Sequence, residues 1–267
     1  LGMGGSSLGA EVISRVLGSA PDHPALHVLD SSDPDQIRTV TATINLASTL
    51  FIVSSKSGST MEPELLRGYF FELVEQAVGA GEAGKRFVAI TDPGSALEKF
   101  AQANGFAHVF AGDPAIGGRY SVLSAFGMAP AAAIGVDVRR FLAATRPMVA
   151  SCGADVPPAA NPGIRLGAII GEAAKGGRNK LTILASERLR PFGAWLEQLL
   201  AESTGKQGRG VVPVNREPAG EPAAYGDDRL FAYLKLTGDD DAYLESRLSA
   251  LEAANQPIVR ISLAGID

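Results

Sequence analysis

Residues 50–64 read LFIVSSKSGSTMEPE. An apolar run of strand character, LFIVSS (50–55), passes through a loop of hydroxyls into a helical pattern. Leu65, Leu66, Tyr69, Phe70, Leu73, Val74 and Ala77 keep the i, i+4, i+8 rhythm of that helix. Between the two lie Ser55, Ser57, Ser59 and Thr60, with Lys56 as a positive charge and Gly58 as room for the backbone. Capping by Ser59 or Thr60 accounts for one hydroxyl and leaves the others without a reason. A phosphate monoester supplies one, because its terminal oxygens accept many hydrogen bonds at once. The pattern G-x-x-x-x-G-K-[ST] does not occur, so this is not a nucleotide P-loop.

Working outward, the chain opens on a second strand–glycine–helix transition, LGMGGSSLGAEV (1–12). Backbone N–H groups at such a helix start suit an anion. A dinucleotide fingerprint would read G-x-G-x-x-G, and Gly2, Gly4 and Ser7 miss its third glycine. Asp30 nevertheless ends the next apolar run, as a ribose-binding acid would. A dinucleotide loop and a plain structural turn both stay open for this stretch taken alone. One or two residues precede the loop where a buried strand needs about five, and the first residue is not Met. The expectation is a fragment cut close to its first motif.

The other apolar runs are HVLD (27–30), RFVAITD (86–92) and HVFAGD (108–113), with helices at 121–134 and 138–150. Such alternation predicts parallel βαβ units. The stretch ADVPPAANP (154–162) reads as a linker. Alternation then restarts: helix 163–175, strand 180–186, helix 191–203, strands 210–215 and 231–236, helix 240–254 and strand 257–265. Two α/β units are expected, residues 1–150 and 151–267.

The 267 residues are 46% hydrophobic and 20% charged, which calls for a sizeable core rather than disorder. The net charge of −5, with no basic run to offset it, argues against nucleic acid as the main partner. Cys152 is the one cysteine and sits in a loop pattern, so no internal disulfide is possible, as fits a reducing cytoplasm. No apolar run reaches about 18 residues, so no membrane-spanning helix is expected.

Four motifs occur in one order: GMGGSSLG, SKSGST, GGRYSVLSAFG (117–127) and QLLAESTGK (198–206). Together they resemble the glucose-6-phosphate isomerases of the sugar isomerase (SIS) fold. The likeness is greatest to the isomerase part of bacterial bifunctional transaldolase/glucose-6-phosphate isomerases. The resemblance implies an α/β protein of two SIS-type subdomains, each a parallel sheet flanked by helices in three αβα layers. The first would carry the phosphate loop, and the second, shortened, the catalytic glutamate. It implies interconversion of glucose 6-phosphate and fructose 6-phosphate in the cytoplasm, a phosphosugar as the bound partner, a homodimer, and no metal or redox cofactor.

Carried over by position, the resemblance assigns the phosphate to Ser55, Lys56 (through its main-chain N–H), Ser57 and Thr60. Gly5 and Ser6 lie beside the sugar. Arg119 stabilises the enediolate, as a fixed guanidinium facing developing negative charge would. Glu202 is the base. Taken by periodicity, Glu202 falls at the edge of a stripe formed by Phe192, Trp195, Leu196, Leu199 and Leu200, and Glu197 falls on the far face. Partial burial near the negative helix end would favour a basic role. Two departures bear on ring opening. The histidine expected after a Gly-Glu-Pro motif is missing, because His23, His27 and His108 all lie in the first half. Its place falls near Asp228 or Arg229, after either Glu217-Pro218 or Glu221-Pro222. The lysine expected towards the C-terminus has no counterpart before Asp267. A fragment lacking these would bind the sugar phosphate and turn it over poorly. Two other readings remain beside the isomerase: a non-catalytic sugar-phosphate sensor on the same fold, and a dinucleotide-dependent oxidoreductase.

Overall fold

The computed structural model describes residues 1–266. They form two compact units. The first comprises Leu1–Ser14 and Gly18–Val138; the second comprises Arg15–Leu17 and the chain from Arg139 on. The division therefore falls at Val138–Arg139 rather than near residue 150, because the helix that begins there groups with the elements of the second unit. Each unit is built on an all-parallel sheet flanked by helices, the α/β architecture expected from the alternation and implied for both subdomains by the resemblance.

The first unit holds β1 (Phe51–Ser54), β2 (Phe87–Thr91) and β3 (His108–Ala111) in that spatial order. β2 is central, and all five of its residues are buried, as a strand covered on both faces must be. Its helices are α1 (Leu8–Leu17, whose last three residues group with the second unit), α2 (Pro34–Thr43), α3 (Met61–Val78), α4 (Ala96–Ala103) and α5 (Ala125–Ala133). The caps explain two of the starts. Asp33 accepts from Asp35 N and Gln36 N, with Pro34 at the first helical position, and Ser95 accepts from Glu98 N. The core includes a packed set of aromatic rings: the Phe51 ring stacks 4.8 Å from Phe87 and lies 5.2 Å from Phe70. Each such ring, fully buried, contributes roughly 1.5–3 kcal/mol.

The run HVLD (27–30) does not become a strand. Leu29 is buried and its carbonyl accepts from Gly2 N at 3.2 Å. The neighbour it would pair with forms a single parallel bridge to β1, Gly2 to Ser54. One bridge gives no ladder for HVLD to extend.

The second unit holds β4 (Lys180–Ala185), β5 (Val212–Asn215), β6 (Arg229–Leu236) and β7 (Ile258–Leu263), ordered β5-β4-β6-β7. Its helices are α6 (Val138–Ser151), α7 (Pro162–Lys175), α8 (Phe192–Thr204) and α9 (Ala242–Ala253). The proline-rich stretch 154–162 ends in a cap: Asn161, 2% exposed, accepts from Ile164 N and starts α7. Phe231 and Tyr233 of β6 are fully buried with Leu248 and Leu251 of α9. No helix among the described residues is long and apolar enough to cross a membrane.

Candidate active site

β1 ends at Ser54 and the chain turns through residues 55–60 before α3 begins. The turn is fixed from below: Ser55 N donates to Ile90 O at 3.0 Å, Gly58 N to Ser55 O at 3.2 Å, and Asp92 N to Lys56 O at 3.0 Å. Gly58 adopts φ +64°, and a Cβ there would lie 2.7 Å from Ser95 Cβ, so the position requires glycine.

The loop presents donors without acceptors. Ser55 is 4% exposed, yet its Oγ has no hydrogen-bond partner. Ser57 Oγ lies 3.4 Å from Thr60 Oγ1 and accepts from Ser59 Oγ at 3.1 Å. Thr60 occupies the N-cap of α3, but its side chain makes no capping bond. Among the described residues, the main-chain N–H groups of Lys56, Ser57 and Thr60 donate to no protein group. Orphan donors at the head of an 18-residue helix are an arrangement that suits an anion. The Lys56 ammonium does not join them, since it donates to Asp92 Oδ2 at 2.5 Å and Asp113 O at 3.0 Å. Only the main chain of Lys56 faces this role. Asp92 is the anchor that reading the sequence passed over; its place at the end of the β2 run was its only signal.

The glycine loop abuts the same region. Ser54 Oγ donates to Ser6 O at 2.7 Å. A Cβ on Gly5 would sit 2.4 Å from Gly118 C and 2.7 Å from Arg119 N. The direction a side chain would take from Gly5 is thus filled by backbone. Gly5 lets the loop press against the turn that carries Arg119. That turn is held by Ser121 Oγ donating to Gly118 O at 2.7 Å. The half-buried Arg119 places its guanidinium carbon 4.7 Å from the Tyr120 ring centroid. The first unit therefore brings Gly5, Ser6 and Arg119 together, with Ser6 tied through Ser54 to the strand that leads into Ser55.

In the second unit, Glu202 lies in the last turns of α8. It is exposed, not partly buried as the periodicity suggested. The packed line of α8 is Phe192, Leu196 and Leu200. Glu202 instead continues the flanking Trp195–Leu199 line, at seven and three residues' spacing. Glu197 is exposed, as expected. Gln198 Nε2 donates to Glu202 Oε2 at 3.4 Å, and Lys206 Nζ donates to the Glu202 carbonyl at 3.1 Å.

Asp228 and Arg229 stand where β4 and β6 begin, with Lys180 and Arg229 in register. Asp228 pairs with Lys180, whose hydrogen bond holds the carboxyl below the usual range. Arg229 donates to Glu217 Oε2 at 2.6 Å and to Thr182 Oγ1 at 2.7 Å. Both side chains are engaged in ion pairs, at strand starts, whereas open parallel sheets bind ligands at strand ends. Among the described residues no group of three or more His, Cys, Asp or Glu is placed to hold a metal ion.

The family profile of phosphoglucose isomerase matches residues 1–226, covering the glycine loop, the 55–60 loop, the Arg119 turn and Glu202. The chain belongs to this family.

Several curated relatives are named glucose-6-phosphate isomerase. The glucose-6-phosphate isomerase of Synechococcus sp. (strain JA-3-3Ab) is 38% identical over 218 residues, covering 77% of this chain and 39% of the relative. That of Parasynechococcus marenigrum (strain WH8102) is 35% identical, covering all of this chain and 54% of the relative. The chain thus spans roughly half or less of the length of these phosphoglucose isomerases. Among solved structures, the hypothetical protein TT0462 from Thermus thermophilus superposes with a TM-score of 0.85 at 24% identity, over 99% of this chain and 71% of that one. A glucose-6-phosphate isomerase from Chlamydia trachomatis superposes with a TM-score of 0.75 at 23% identity, over 94% and 54%. At those identities the superpositions speak for the phosphoglucose isomerase fold alone.

Proposed function

We propose that this chain interconverts glucose 6-phosphate and fructose 6-phosphate through an enediol. The observation that carries this reading is the cup at residues 55–60, with the buried, unpartnered Ser55 hydroxyl at its floor. In this reading Ser55, Ser57, Thr60 and the main-chain N–H of Lys56 hold the phosphate. Gly5 and Ser6 shape the wall next to it and keep Arg119 in position. The Arg119 guanidinium stabilises the oxygen that gains charge as the enediolate forms. Glu202 takes the proton from one of carbons 1 and 2 and delivers a proton to the other, while the hydroxyl proton passes between oxygens 1 and 2; the carboxyl exchanges its proton with solvent between the two carbon transfers. Family membership supports the role of Glu202, as does its exposure near the end of α8.

We assign ring opening to neither Asp228 nor Arg229, since each holds an ion-pair partner in its own unit. A homodimer and a cytoplasmic setting belong to this proposal as well; the lone, exposed Cys152 agrees with the latter. The test is a coupled assay of fructose 6-phosphate conversion by the chain and its Glu202→Gln variant. A general base contributes about 10²–10⁴-fold, so the variant should lose at least the lower figure while its affinity for fructose 6-phosphate changes little. Unchanged turnover would remove Glu202 from the chemistry.

A further inference from the structure

The anion cup has hydroxyls and N–H groups but no cation of its own, because Lys56 is tied to Asp92 and Asp113. A phosphate dianion is matched better where a positive charge faces it. Such a charge lies two turns further along the same helix. α3 sets Thr60 and Arg67 seven residues apart, about 20° from eclipsed, and helical side chains lean towards the N-terminus. Ser55, Gly58, Thr60, Glu64, Arg67 and Phe100 line one cavity of about 120 Å³.

Arg67 is unusual in that cavity. Its side chain is only 12% exposed, and its guanidinium lies 3.5 Å from the centre of the Phe100 ring. Its one ionic partner among the described residues is Glu64, at 3.8 Å, whose own side chain is 62% exposed. No hydrogen bond to the Arg67 guanidinium occurs among the described residues. Burial lowers the pKa of this group, with Glu64 opposing weakly, so the cation is desolvated without being fully matched. Ser55 lines the same cavity, and its Oγ is also buried and also unmatched.

We propose that this cavity is the inner wall of the phosphate cup, and that Arg67 supplies its positive charge to the phosphate dianion as Glu64 swings out to solvent. This rests on residues 55–60 being the phosphate loop. Arg67 then sets affinity for the phosphate group and not the rate of proton transfer.

Calorimetric titration of the chain with inorganic phosphate tests both claims separately. Arg67→Met should weaken binding about tenfold, the scale of one charge-assisted hydrogen bond, and Arg67→Lys should stay within about threefold of the parent. Glu64→Gln should tighten binding. Ser55→Ala serves as the control on the underlying reading. If Ser55→Ala weakens binding and Arg67→Met does not, Arg67 is not the cation of the cup. If neither weakens it, the phosphate loop itself is wrongly placed and the inference falls with it. Should Arg67→Met fail to fold, the unaltered chain decides. Phosphate should protect Arg67 from phenylglyoxal, read by peptide mass against the exposed Arg38, and equal modification with and without phosphate overturns the proposal.

Discussion

Ser55 Oγ is a buried hydroxyl without a partner, a state that costs about 1–3 kcal/mol until something bonds to it. Removing it should therefore do opposite things to folding and binding. Ser55→Ala is expected to leave the thermal midpoint unchanged or raise it, while weakening phosphate binding. A lowered midpoint would show the hydroxyl to be structural. Arg119→Ala is expected to lower kcat more than it raises KM for fructose 6-phosphate, and the reverse would make Arg119 a binding residue. The sequence already marked Ser55, Ser57 and Thr60 by residue type and loop position, and Arg119 through the resemblance. It did not reveal that the Lys56 ammonium turns away to Asp92, because that contact joins residues 36 apart across two strands. Nor did it reveal the exposure of Glu202, since the periodicity of α8 leaves two lines of apolar residues and only packing selects between them.

At the scale of elements, the turn after β1 depends on a left-handed glycine pressed against Ser95. Gly58→Ala should destabilise the first unit by about 1–2 kcal/mol, combining the conformational cost with the contact. Chemical denaturation would read it, and an unaffected midpoint would mean the loop adapts freely. In the second unit, Tyr233 OH and Ser186 Oγ both donate to Asp241 Oδ2, joining β6, the loop after β4 and the start of α9. Burial pushes the Tyr233 phenol well above its ordinary pKa, with the Asp241 hydrogen bond adding to the effect. Strand and helix positions were legible wherever apolar runs were bounded by turn residues. HVLD was misleading because a strand needs a neighbour with a ladder to share, and composition carries no information about the neighbour. The cap of Asn161 was hidden in a run that reads as a linker, since its prolines resemble those of any loop.

For the whole molecule, two parallel sheets each close over their own core, and in the second, charge pairs tie strands to the turn before β6 and to α9. Lys180 depresses the pKa of Asp228, and Lys235 and then Arg260 depress that of Glu245. A depressed carboxyl contributes stability above its unfolded pKa of about 4 and loses it as pH falls through the folded value. The thermal midpoint should therefore be flat near neutrality and drop below about pH 4, and Asp228→Asn should shrink that drop. A midpoint indifferent to acid would show these pairs to be solvated ornaments. The alternation of elements made the two-unit α/β plan readable, but the boundary at Val138–Arg139 depended on where a helix groups, which no local pattern records.

Proton transfer between carbons 1 and 2 is the central chemical claim, and isotope incorporation reads it directly. Fructose 6-phosphate incubated with this chain in deuterated water, without nucleotide or added metal, should yield glucose 6-phosphate carrying deuterium at carbon 2, and the Glu202→Gln variant should not. Fructose 6-phosphate that binds and is recovered unlabelled, with no glucose 6-phosphate formed, would contradict it.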